Sequence, residues 1–97
     1  MKDSQCELCD RVDVETTIHH LTPKEMGGTL LPTAQLCRPC HKQIHALYTN
    51  SDLVERELTS LPALQQDPAI ASFLRWIRKQ PSSSLPKLRK SQRVRGN

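Results

Sequence analysis

At 97 residues, with one Trp, one Tyr and one Phe, the chain has room for one domain around a small core. No apolar run approaches the roughly 18 residues of a membrane span, which excludes a helical membrane protein. The formal charge of +4 is unevenly spread: residues 1–74 carry six Lys/Arg against ten Asp/Glu, a net −4, whereas residues 75–97 carry eight Lys/Arg and no acid.

The chain starts Met1-Lys2-Asp3-Ser4-Gln5 and runs straight into a cysteine, with no apolar stretch of a secretory signal. A soluble, cytoplasmic protein is expected, and a reducing compartment favours metal over disulfides as the staple for its cysteines. Those cysteines form two C-x-x-C pairs, Cys6/Cys9 and Cys37/Cys40, separated by 27 residues. Two such knuckles close a tetrahedron of thiolates around one zinc, which would hold the domain together. All four histidines, His19, His20, His41 and His45, lie between residues 19 and 45. One zinc takes four ligands, so eight Cys and His side chains exceed what a single ion can use.

In chain order, Val12–Ile18 is rich in β-branched residues and predicts a strand that delivers His19 and His20 at its end. Thr22–Gly28 predicts a loop, its paired glycines allowing backbone angles closed to other residues. Residues 29–36 predict a short return strand, with Pro32 either keeping it at an edge or confining pairing to Ala34–Cys37. Pro39 suits the opening of a helix that would run to Leu47 or Tyr48. Asn50 or Ser51 can cap a second helix over Asp52–Leu61, and Asp67-Pro68 opens a third, ending near Lys79. The resulting division is a core of residues 1–50, two helices over 51–80 packing on it, and a basic tail over 81–97 predicted to be disordered without a partner.

His41 and His45 stand four apart on the first predicted helix, so their rings share a face and can grip one ion. Cys40 points about 100° away from His41, which favours two separate metal sites. Strand neighbours face opposite ways, so one of His19 and His20 can join the pair while the other stays free. An imidazole free of the ion but close to it is suited to take a proton from water. A single Cys2His2 or Cys3His zinc site is the plainer alternative.

The run Cys6-Glu7-Leu8-Cys9, His19-His20-Leu21-Thr22-Pro23 and Leu36-Cys37-Arg38-Pro39-Cys40-His41-Lys42-Gln43-Ile44-His45 resembles the HNH endonucleases. It is most similar to their short stand-alone bacterial, YisB-like kind, and the likeness covers most of residues 6–81. The resemblance implies an α+β fold: a small zinc-stabilised ββα-metal (HNH) finger with additional C-terminal helices. It further implies His20 as general base and His19, His41 and His45 as ligands of a catalytic divalent metal (Mg²⁺, Mn²⁺, Ni²⁺ or Zn²⁺), beside a structural Zn²⁺ on the four cysteines. The expected partner is DNA, hydrolysed at its phosphodiester bonds by nicking with low sequence specificity. Arg38, Lys42, Arg75, Arg78 and Lys79 are the expected contacts to its backbone. The resemblance also implies an Asn ahead of the second knuckle that helps orient the base. Residues 29–36 contain none, and Gln35 or Thr33 would have to substitute. The rival expectation is a non-catalytic zinc module that binds nucleic acid on a degenerate HNH fold.

Overall fold

The computed structural model describes residues 4–81. It is a small α+β protein with one two-stranded antiparallel sheet and four helices. Strand β1 spans Thr16–His20 and β2 spans Thr33–Cys37, in a register that sets Thr16 against Cys37 and His20 against Thr33. The β-branched Thr16-Thr17-Ile18 run suits the pleated surface. Helix α1 (Arg38–Leu47) follows β2 with no loop between them, Pro39 fitting its first turn. Helices α2 (Asn50–Glu55), α3 (Leu61–Gln66) and α4 (Pro68–Ile77) complete the order.

Two elements differ from the sequence expectation. The first strand begins at Thr16 rather than Val12, because Asp10 and Asp13 both adopt left-handed backbone angles (φ 69° and 57°) that interrupt extended chain. Among the described residues, only an isolated Ser4–Val14 bridge precedes it. The helix expected over Asp52–Leu61 is instead two short helices. Glu57 turns left-handed at φ 57°, and Ser60 restarts the chain by accepting a hydrogen bond from the Ala63 amide, with Pro62 in the first turn of α3. The cap of α2 also moves: Thr49, not Asn50 or Ser51, forms a reciprocal capping box with Asp52. The Asp67-Pro68 opening of α4 is as expected, the Asp67 carboxylate accepting from the Ile70 amide.

Between the strands, Lys24–Met26 form one turn of 3-10 helix that ends on Gly27 in the left-handed region at φ 93°. Gly28 has a different role. A Cβ there would lie 1.7 Å from the Thr22 carbonyl oxygen, so the loop closes on itself only over a bare Cα.

Leu8, Leu36, Ile44, Leu53, Leu64, Ile70, Leu74 and Ile77 fill the core together with all four cysteines. Each fully buried aliphatic side chain contributes ~1.5–3 kcal/mol relative to exposure. Helix α1 packs on both strands and on α4, α3 packs on α4, and α2 packs on the Lys24–Met26 turn. No helix among the described residues is long and apolar enough to cross a membrane. Residues 82–97, most of the expected basic tail, lie outside the described residues.

Candidate functional site

The β2–α1 junction builds two clusters of metal-ligating side chains. Cys37 and Cys40 occupy the start of α1 and meet Cys6 and Cys9 from the N-terminal knuckle. All four thiols are free and buried, with their sulfurs within 4.8 Å of one another. The Cys9 amide donates to Cys6 Sγ at 3.4 Å, and the Cys9 and Cys37 sulfurs are 3.9 Å apart. A helix N-terminus favours negative charge, which suits Cys37 as a thiolate, whereas hydrogen bonding with Cys37 raises the Cys40 thiol. The Cys40 thiol, hydrogen-bonded to Cys37, draws Cys37 down to about 6, and hydrogen bonding with Cys37 likewise lowers Cys9. Such a group can hold a structural metal such as zinc.

Arg11 completes this centre in a way the sequence pattern did not signal. It is 9 % exposed; its guanidinium lies 3.5 Å from Cys37 Sγ and donates to the Gln80 and Pro81 carbonyls. It therefore offsets thiolate charge and ties the chain that follows α4 to the knuckles at the same time.

The second cluster lies one position along α1. His41 and His45 project from the helix toward His19 of β1, whose neighbour across the sheet is the small Ala34. The three ring centroids are 5.1–5.5 Å apart, and one ligand nitrogen from each falls within 4.8 Å of the others. His19 is 2 % exposed and its buried Nε2 has no hydrogen-bond partner. A buried polar atom left without a partner is costly, and a metal ion would satisfy this one. Burial, followed by the repulsion of His41, His45 and His20, pulls His19 down to about 4. Burial also lowers His41, with His45 adding to it, and burial lowers His45. The trio is thus held neutral, the form in which imidazole binds a metal.

Thr17 is two residues before His19, hence on the same side of β1, and its Oγ1 lies 2.6 Å from His41 Nδ1. With Nδ1–H donating to that hydroxyl, Nε2 of His41 keeps its lone pair for an ion.

These rings open into a cleft of about 180 Å³ lined by Ile18, His19, His20, Pro23, Lys24, His41, His45 and Asn50. His20 therefore borders the same space as the trio. The lining contains one lysine and no carboxylate. Asn50, expected as a helix cap, faces this cleft instead, and its side-chain amide donates to the Glu25 carboxylate across the α2 contact. Neither Gln35 nor Thr33 is part of the lining; Gln35 accepts from the Thr16 hydroxyl at 3.4 Å.

The expected DNA-contacting cations separate into groups. Arg38 is ion-paired with Glu15 at 3.4 Å, and neither it nor the exposed Lys42 lines the cleft. Arg78 turns toward the first knuckle, donating to the Leu8 and Cys9 carbonyls and lying 3.9 Å from Asp10. Arg75 and Lys79 are exposed. Lys24, Thr17, Asn50 and Arg11 escape sequence reasoning because each acquires its role only through tertiary approach.

Fold and site together define a small α+β protein with a closed four-thiol cluster suited to a structural metal and an open three-imidazole cluster beside a cleft. The chain belongs to the YisB family: it is 63 % identical over 86 residues to a Bacillus subtilis (strain 168) protein named "Uncharacterized protein YisB", across 89 % of this chain and 85 % of that one. No family model matches the chain, and no solved structure matches it.

Proposed function

We propose that this chain is a metal-dependent endonuclease of the HNH kind, nicking DNA phosphodiester bonds with low sequence specificity on a ββα-metal fold. The observation that carries the reading is the convergence of three neutral imidazoles, one with a buried unpartnered nitrogen, on a cleft that a fourth histidine also borders. His19, His41 and His45 would hold a divalent ion there, Mg²⁺, Mn²⁺, Ni²⁺ or Zn²⁺. Once bound, such an ion supplies Lewis-acid stabilisation of the charge that develops on phosphoryl and leaving oxygens.

The chain's own residues do the rest. His20 accepts the proton of the attacking water from its place on the cleft. Lys24 offers an ammonium to a phosphate oxygen in the same space. Neutral ligands and a carboxylate-free lining leave positive charge uncompensated, so an anionic substrate fits better than a neutral one. Asn50, braced by Glu25, contributes an amide at the rim, where it can orient the base or the substrate. The four-thiol centre takes no part in the reaction and keeps β2 and α1 in register with the N-terminal knuckle.

A supercoiled-plasmid nicking assay with Mg²⁺, Mn²⁺ or Ni²⁺ tests this directly. Wild-type chain should convert supercoiled to open-circular DNA, and His20→Ala should slow that by about 10²–10⁴-fold, the usual range for a general base. Cleavage by His20→Ala at the wild-type rate would remove His20 from the role of base. A wild-type chain that nicks with none of these ions would defeat the nuclease reading.

A further inference from the structure

Helix α4 carries a second chemical surface apart from the cleft. Ile70, Leu74 and Ile77 turn inward to the core, and Arg78 is engaged with the Leu8 and Cys9 carbonyls. On the opposite side Ser72, Arg75 and Trp76 are exposed, as is Lys79 in the turn just past the end of the helix. The i, i+3, i+4 spacing of the three helical residues makes them one stripe, and Lys79 follows it in a turn closed by its amide donating to the Trp76 carbonyl. Trp76 is 41 % exposed, although an indole is a large apolar surface that a core would ordinarily take. The Phe73 ring, 5.7 Å away and tilted by 50°, braces it from the helix's own side. No acidic residue occurs anywhere in α4, nor in the sequence that follows it.

We infer that this outer face of α4 docks single-stranded nucleic acid, Trp76 stacking on an unpaired base while Arg75 and Lys79 hold the flanking phosphates. A flat aromatic between cations matches a polymer that alternates base faces with phosphates. Duplex DNA keeps its base faces stacked internally, so it would engage the two cations and leave the indole without a partner. An anionic membrane fits less well. The apolar face of α4 is already in the core, and one exposed aromatic is little area to bury in a lipid interface. The inference deepens the nucleic-acid side of the proposed function by naming a strand type, and it does not depend on cleavage.

Trp76 is the sole tryptophan, so its emission reports this face in the unmodified full chain. The experiment titrates the protein, with no divalent ion added, against an oligothymidylate of about 12 nucleotides, within the range that one small module covers. Parallel titrations use the same length of duplex and vesicles rich in anionic phospholipid. The expected result is saturable quenching by the single strand that weakens as salt is raised, with little change on duplex or vesicles. By anisotropy of a labelled strand, Trp76→Ala should weaken binding about tenfold or more, Trp76→Phe should keep most of it, and Arg75→Ala/Lys79→Ala should flatten the salt dependence. Unchanged emission on the single strand, equal quenching by duplex, stronger quenching by vesicles, or wild-type affinity in Trp76→Ala would each overturn the inference. The two proposals fail separately. A chain that binds the strand through Trp76 but never nicks a plasmid upholds this surface and defeats the nuclease; one that nicks with Trp76 uninvolved does the reverse.

Discussion

The two ligand clusters on α1 are built from adjacent residues, Cys40 and His41, yet they meet opposite requirements. The thiol cluster is buried on all sides, has four ligands and a nearby guanidinium, and leaves no direction from which a substrate could approach. The imidazole cluster has three ligands, only one of them buried, and a cleft in front whose lining holds no carboxylate. A closed shell of soft ligands suits a fold-holding zinc, while an incomplete shell of imidazoles leaves positions for water and phosphate. The 100° step between successive helical residues is what lets one helix serve both. Structure-holding and reactive capacity are therefore separable by mutation, although the residues are neighbours.

The largest expected effect lies on the thiol side. Cys37→Ser should unfold the core, because the binding energy of a structural zinc is folding energy, and strong chelation of the wild-type chain should do the same. Far-UV circular dichroism that survives both treatments would show that the thiols are not the staple. On the other side, His45→Ala removes a ligand outside the buried core, so the fold should stay within about 0.5 kcal/mol of wild type while binding of a second divalent ion is lost. Calorimetric titration with Mn²⁺, alongside thermal melting, checks both halves. A large drop in stability would mean that the histidines hold the fold too.

Smaller effects sharpen the contrast. Thr17→Val, which deletes the hydroxyl beside His41 Nδ1, should weaken the second ion about 10–100-fold, the usual cost of losing an outer-shell partner, and Thr17→Ser should restore it. Equal affinities across the three proteins would leave Thr17 without a positioning role. Arg11→Met should lower stability by about 1–2 kcal/mol through lost bonds to Cys37 Sγ and to the Gln80 and Pro81 carbonyls. Because those contacts all lie on the thiol side, Mn²⁺ affinity at the histidines should not change, and a shift there would show that the two centres are coupled.

What could be read from the sequence follows the range of each interaction. The C-x-x-C pairs and the His41/His45 step are short-range spacings, and both clusters assemble from those residues. The opposite-facing logic of a strand separates His19, which enters the trio, from His20, which borders the cleft. Thr17 is 24 residues from His41, and Arg11 is about 70 from the carbonyls it binds, so no local pattern announces either. The split between α2 and α3 was hidden by the apolar positions Leu53, Val54, Leu58 and Leu61, which read as one helical face. Ser60 followed by Pro62 was the available signal for a new helix start. Asn50 shows a different difficulty: next to a helix start it resembled a cap, but Thr49 took that place and left the Asn50 amide for Glu25 and the cleft.

Native mass spectrometry of the full chain under saturating Mn²⁺, set beside His41→Ala/His45→Ala, tests the separation of the two centres most directly. The wild-type chain should carry one tightly held zinc and one exchangeable manganese, and the double variant should keep the zinc and lose the manganese. A single ion per chain at saturation, or a second ion retained by the double variant, would contradict the assignment of the three histidines to a metal centre of their own.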